Sequence, residues 1–229
     1  NEIDYFLLPS NQNKFQNESL NYLNIPKSKR LSSEKFRHIK ANKLLTTDHP
    51  VVTTGNATTD IHRGIPNWIS EWLKNSFIQK KENRKNKKRS KIFINRKNLK
   101  NLSSAQRTII NEQEIKDYLN KKEFTFVNLE ELSFIEQVNL FNDSKCIVGL
   151  HGAGFANVVF CDPNTKIIEF KSISSGTSIE NLSKKNNLNY NSILSEAKQI
   201  QSHNTPTNIW NQQGSIEVSM KKLRDVLEV

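Results

Sequence analysis

Cys146-Ile147-Val148-Gly149-Leu150-His151-Gly152-Ala153-Gly154-Phe155-Ala156-Asn157 is the stretch on which the reading of the fold turns. Five apolar residues without alternation fit a strand buried on both faces, and they run straight into a small-residue turn. Phe155 to Phe160 then reads as a short helix. The same grammar repeats on either side. Upstream, Ile92-Phe93-Ile94 and Phe124-Thr125-Phe126-Val127 read as strands; downstream, so does Ile167-Ile168-Glu169-Phe170. Between them, Asn111 is placed as the N-cap of a helix, with Glu114 three residues on and Ile110 and Ile115 as a hydrophobic staple. Ser133-Phe134-Ile135-Glu136 opens another helix as a capping box, with Phe134, Ile135, Val138 and Phe141 on one face. Ile216-Glu217-Val218 and a helix from Met220 to Leu227 close the pattern. Apolar strands alternating with helices predict an α/β fold with a Rossmann-like parallel sheet covered on both faces.

Before this region the signal is mixed. Tyr5-Phe6-Leu7-Leu8, Leu44-Leu45 and Val51-Val52-Thr53-Thr54 read as short strands, and Asn17 to Leu23 as a helix. After Pro66, the positions Trp68, Ile69, Trp72 and Leu73 predict an amphipathic helix. The expected organisation is therefore a partial N-terminal lobe over 1–78, a basic linker over 79–91 and a Rossmann-like domain over 92–229. The only methionine is Met220, so the chain is read as part of a longer protein.

The formal charge of +11 is concentrated rather than spread. Lys80 to Lys91 holds eight basic residues against Glu82, a net +7 that leaves +4 for the rest. Aromatic residues do not interleave with the run, as a platform for single-stranded nucleic acid would require. It reads as a solvated linker, so no nucleic-acid partner is expected, although the run is a candidate for peripheral contact with anionic membrane. A non-catalytic basic α/β module binding RNA or anionic lipid through Lys80–Lys91 is the alternative. No run of about 18 apolar residues exists to cross a membrane, and the polar start Asn1-Glu2-Ile3-Asp4-Tyr5 lacks the basic n-region of a signal peptide. Cys146 and Cys161 form neither a disulfide framework nor a zinc motif, which fits a reducing, cytoplasmic compartment.

In an open parallel sheet, ligands bind outside the carboxyl ends of the strands. Two strands end there on informative residues. His151-Gly152-Ala153-Gly154 brings backbone close to a ligand and leads into a helix N-terminus, which favours phosphate. Arg96 follows the strand Ile92–Ile94 and could hold phosphate oxygens in the same crevice, with Arg107 as a second charge. Each has an ordinary reading as well, a tight turn or a surface ion pair, and Asn111 and Glu136 have structural work in helix capping. Glu169 is a carboxylate inside an apolar strand and needs a partner, a ribose hydroxyl or a nearby Arg. No Gly-x-Gly-x-x-Gly, P-loop, Gly-x-Ser-x-Gly elbow or His-Glu-x-x-His occurs, which weighs against dinucleotide, P-loop, α/β-hydrolase and zinc-protease chemistry. There is also no Asp-x-Asp to seat a divalent cation beneath a diphosphate.

Ile92-Phe93-Ile94-Asn95-Arg96, Arg107-Thr108-Ile109-Ile110-Asn111-Glu112, Leu132-Ser133-Phe134-Ile135-Glu136-Gln137, His151 to Asn157 and Ile168-Glu169 come in one order and spacing. Together they resemble the C-terminal half of glycosyltransferase family 61, which includes capsular polysaccharide enzymes, plant xylan-decorating transferases and O-mannose N-acetylglucosaminyltransferases. The resemblance is carried by Ile92 to Phe170 and is looser outside it. It implies a GT-B-like enzyme, inverting and without an obligatory metal or other cofactor, moving a sugar from a nucleotide-sugar donor to a glycan acceptor in surface polysaccharide assembly. Residues 1–78 would then be the acceptor-side lobe. By matching motif positions it makes Arg96, Asn111, Glu112, Glu136, Gln137, His151, Gly152, Ala153, Gly154 and Asn157 donor-site candidates, beside Arg107 and Glu169. Asn95 stands where a Ser or Thr more often precedes the Arg, and Phe155 where Leu is more usual; the family's His-Trp-containing upstream segment does not occur. The sequence singles out no catalytic base, with His62 in Asp60-Ile61-His62-Arg63 as the candidate.

Overall fold

The computed structural model describes residues 2–9, 13–46, 66–78, 90–96, 107–198 and 214–228. The expected strand Val51–Thr54, His62 and the basic run up to Arg89 lie outside the described residues. Ser90 and Lys91, at the end of that run, already belong to a strand.

Five parallel strands form the main sheet: β3 (Ser90–Ile94), β4 (Phe124–Val127), β5 (Ser144–Leu150), β6 (Lys166–Ser172) and β7 (Asn189–Ser195), in the order β4-β3-β5-β6-β7. A separate short parallel pair, β1 (Phe6–Leu8) with β2 (Arg30–Ser32), precedes it. The α/β, Rossmann-like reading is thus met, and its strands form for the expected reason. Alternate residues of each central strand enter opposite apolar layers. Ile92, Ile94, Ile147 and Ile167 face one layer, and Phe93, Cys146, Val148, Leu150, Ile168 and Phe170 the other. Both faces are dry, so the strands read as continuous apolar runs.

The first layer is closed by α4 (Phe134–Asn142), the 3-10 segment Ala153–Phe160 and α5 (Ser178–Lys185). Two N-terminal helices join it: α1 (Lys14–Tyr22) supplies Tyr22 and α2 (Asn67–Phe77) supplies Leu73 and Phe77. The Phe77 ring meets that of Phe134 edge-on at 4.8 Å, a geometry that aromatic quadrupoles favour. Glu18 of α1 accepts from the Phe134 backbone N–H at 2.6 Å, satisfying a free amide at the start of α4. The second layer is closed by α3 (Glu112–Lys121) and α6 (Met220–Glu228), through Ile115, Leu119 and Leu223.

Several expectations need correction. Leu44 and Leu45 form no strand and are exposed. Trp68 and Trp72 lie on the expected helix but turn outward, 60% and 48% exposed, because Ser70 and Phe77 take the buried side. Ile110 is also exposed, so the staple expected at α3 buries only its Ile115 half. The short helix expected over Phe155–Phe160 is present but is a 3-10 helix that starts two residues earlier, at Ala153. Among the described residues, no helix is long and apolar enough to cross a membrane.

Candidate functional site

The strand order creates a switch point. From β3 the chain goes to β4 on one side and returns to β5 on the other, so β3 and β5 are neighbours whose onward connections diverge. The divergence opens a crevice at their carboxyl ends. Arg96 follows β3 there, and His151 follows β5 directly. Residues 55 positions apart in sequence meet: Arg96 Nη2 donates to the His151 carbonyl at 3.1 Å.

Arg107 reaches the same oxygen. Its Nη1 donates to the His151 carbonyl at 3.3 Å. Two like charges therefore converge on one neutral acceptor, and among the described residues no carboxylate pairs with either guanidinium. Arg96 keeps more than a third of its surface exposed, but its guanidinium packs against the turn. That desolvation, and then repulsion from Arg107, lowers its pKa from the usual guanidinium value. Desolvation also lowers that of Arg107, against an opposing pull from Glu169. Both remain cationic at neutral pH, since an arginine starts so far above it. With Phe93, Thr108, Glu112 and Leu150, the two arginines line a shallow cleft.

Gly152 is required by this arrangement. Its φ of 169° is extended backbone open to any residue, so conformation is not the reason. A Cβ there would stand 2.0 Å from Arg96 Nη2. The absent side chain is the space through which the arginine reaches the carbonyl. At Gly154 the sequence suggested close approach to a ligand, whereas an added Cβ would meet Leu129 Cδ1 at 2.8 Å. Gly154 serves the packing of the 3-10 segment. Ala153 opens that segment.

Beneath the turn, His151 Nδ1 is hydrogen-bonded to Glu169 Oε1, and Tyr190 donates its hydroxyl to Glu169 Oε2 at 2.5 Å. Glu169 has no exposed surface. Its protein partners are a histidine just after β5 and a tyrosine of β7, in place of the expected Arg. Burial first, and then the charge and hydrogen bond of Glu169, push the Tyr190 phenol up, so it acts as a donor. The sequence does not point to Tyr190, because β7, Asn189–Ser195, is a polar edge strand without an apolar run.

The remaining candidates have structural partners of their own. Asn157 Nδ2 donates to Gln137 Oε1 at 2.9 Å, and Gln137 Nε2 donates to the Leu129 carbonyl at 2.9 Å, tying the 3-10 segment to α4 and the turn before it. Glu136 completes the expected capping box, accepting from the Ser133 hydroxyl and backbone N–H, which hold its carboxyl below the usual range. Glu112 pairs with Lys116 at 3.0 Å. Asn111 stands at the N-cap position, but its side chain does not cap the helix. It donates to the Val218 carbonyl and accepts from the Val218 N–H, each at 2.9 Å.

The family model described as Glycosyltransferase 61 matches residues 6–168, more than two thirds of the chain. The chain belongs to glycosyltransferase family 61. A comparison with curated proteins gives no match. Membership in family 61 makes the protein a glycosyltransferase, with a donor and an acceptor substrate. Within that family frame, Arg96, Arg107 and the His151 turn form the cationic centre of the crevice. Gln137 and Asn157 tie the 3-10 segment to α4, Glu136 caps α4, Asn111 bonds to Val218, and Glu169 lies behind His151. Cys146 and Cys161 are both buried free thiols.

Proposed function

We propose that the chain transfers a sugar from a nucleotide-sugar donor to a glycan acceptor with inversion, in surface polysaccharide biosynthesis. One observation carries this reading: two arginines, without carboxylate partners among the described residues, converge on the His151 carbonyl at the switch point of the sheet. A leaving diphosphate develops charge where fixed cations and hydrogen-bond donors already wait, so little reorganisation opposes its departure. Arginine suits the task because its planar fork pairs with two phosphate oxygens at once.

Metal independence belongs to the same proposal. The sequence has no Asp-x-Asp, and the arginines supply the charge that a divalent cation would otherwise provide. So does a GT-B-like arrangement, with donor binding on the main sheet from Ser90 onward, 79–89 as the connector and acceptor-side residues within 1–78, whose helices α1 and α2 pack on the same core. A cytoplasmic location, with the basic run touching anionic membrane, completes it.

Calorimetry of the chain against uridine, guanosine, cytidine and thymidine diphosphates tests the reading. One should bind, and Arg96→Ala should weaken it by about 10- to 150-fold, the loss of a charge-assisted hydrogen bond of roughly 1.5–3 kcal/mol. Unchanged affinity in Arg96→Ala overturns the diphosphate site. A gain above about tenfold on adding manganese to an EDTA-treated sample, near 1.4 kcal/mol, overturns metal independence. Deleting residues 80–89 should leave nucleotide affinity intact; a variant that instead loses RNA or anionic-vesicle binding, in a chain that binds no nucleotide, establishes the basic-module alternative.

A further inference from the structure

We propose that His151 is the general base of the transfer, held in its working tautomer by Glu169 and Tyr190, and is not a ligand of the diphosphate. The inference rests on the donor-site reading above and assigns a step which that reading leaves without a residue.

Three features single out this side chain. Its Nδ1 is engaged by a carboxylate with no exposed surface, which fixes the N–H on that nitrogen and leaves Nε2 as the bare acceptor. Nε2 makes no hydrogen bond to any described residue, and the side chain keeps 14% of its surface open. The second oxygen of Glu169 is occupied by Tyr190, so the carboxylate cannot rotate away from the imidazole. A nucleophile-activating histidine backed by a buried carboxylate is the arrangement that general-base chemistry requires.

The phosphate side of the crevice is already provided for. The arginines supply the charge there, and they are anchored on the His151 main-chain carbonyl rather than its ring. The nearby carboxylates are otherwise engaged: Glu112 with Lys116, and Glu136 in the capping box. In the step itself, the acceptor hydroxyl oxygen bonds to the anomeric carbon while its proton passes to His151 Nε2. The bond from the anomeric carbon to the diphosphate oxygen breaks, and its electron pair leaves with the diphosphate, which Arg96 and Arg107 neutralise. The Glu169 carboxyl, hydrogen-bonded to Nδ1, stabilises the imidazolium, which returns its proton to solvent after product departs. Tyr190 is a positioning residue that acts through Glu169.

Three measurements on the chain decide this, using the nucleoside diphosphate that binds best and its sugar conjugates. In nitrogen-15 spectra at mildly alkaline pH, His151 should carry its proton on Nδ1, with Nε2 bare, both free and with diphosphate bound. His151→Gln should bind the diphosphate within about threefold of wild type, yet release it from the sugar nucleotide, to water or glycan, at least about 100-fold more slowly. Tyr190→Phe removes one hydroxyl; it should mix the two imidazole tautomers and slow release by about 3- to 10-fold with unchanged binding. Protonation of Nε2 on diphosphate binding, parallel loss of affinity in His151→Gln, an unaltered release rate, or a wild type that never releases diphosphate overturns the assignment. A single fixed tautomer in a folded Tyr190→Phe removes Tyr190 from it. Failure of the wild type to bind any nucleotide overturns the donor site itself.

Discussion

Gly152→Ala is the most economical probe of the crevice, because it adds one methyl group and removes nothing. The added Cβ would lie 2.0 Å from Arg96 Nη2 and 3.1 Å from its Cζ, both inside contact distance. The backbone at Gly152 is extended, so alanine introduces no torsional strain. The guanidinium is the far end of a flexible side chain and can swing aside at little cost. The fold should survive while Arg96 loses its anchor on the His151 carbonyl. If a diphosphate depends on that anchored guanidinium, affinity should fall by up to the Arg96→Ala loss, about 10- to 150-fold. The assay is a double-mutant cycle by calorimetry, with thermal unfolding as the control. Gly152→Ala in the Arg96→Ala background should cost almost nothing further, since the partner it displaces is gone. Full additivity of the two losses, or wild-type affinity in Gly152→Ala alone, refutes the reasoning.

Other consequences of the packing can be measured without a ligand. Gly154→Val places its Cβ 2.8 Å from the buried Leu129 Cδ1, and overpacking of about 1–3 kcal/mol should lower the melting temperature by roughly 2–10 °C; an unchanged melting temperature refutes the packing role. Gln137→Ala removes one partner each from the Asn157 amide, which keeps the Gly154 carbonyl, and from the Leu129 carbonyl, which keeps the Leu132 N–H, so a denaturant titration should report a loss of about 0.5–1.5 kcal/mol, and no loss would show that water replaces the bridge. Burial pushes the Cys146 thiol up from 9.0 to about 11, so the native protein keeps a proton that the unfolded chain releases. The associated stability, about 2–3 kcal/mol, is present below pH 9 and should disappear as pH rises through about 11, with alkylation of Cys146 waiting on unfolding. Rapid native-state alkylation at neutral pH contradicts this.

What was legible in the sequence follows from burial. The three central strands, buried on both faces, are legible as apolar runs, the edge strand β4 is legible through its aromatic and β-branched residues, and the Ser133 capping box is a local pattern that needs no tertiary context. α5 and β7 were silent. The strand Asn189-Tyr190-Asn191-Ser192-Ile193-Leu194-Ser195 is an edge strand whose neighbours cover it incompletely, so polar residues persist there. Arg96 and His151 were legible as a pair, because both end parallel strands; their contact depends on a strand order that no residue encodes locally. Asn111 shows the limit from the other side. Its position at a helix start was readable, but its amide is used by Val218, 107 positions away. Glu169 was recognisable as a buried charge in need of a partner, and Tyr190, the partner on the silent strand, was not.

The double hydrogen bond between Asn111 and Val218 is one stitch in a seam. Ile110 N–H donates to the Ile216 carbonyl at 2.8 Å, Ile216 N–H donates to the Thr108 carbonyl at 3.0 Å, and the Thr108 and Ser215 hydroxyls meet at 2.6 Å. The same segment pairs with Ala197 and Lys198 just beyond β7. The last stretch of chain is thus a splint laid along the residues that carry Arg107. A shortened protein that stops at residue 168, where the family match ends, would still encode both arginines and the His151 turn. It would lack Glu169 and Tyr190, which hold the His151 ring, and the splint for Arg107, so its crevice would be spelled out in sequence yet left unassembled.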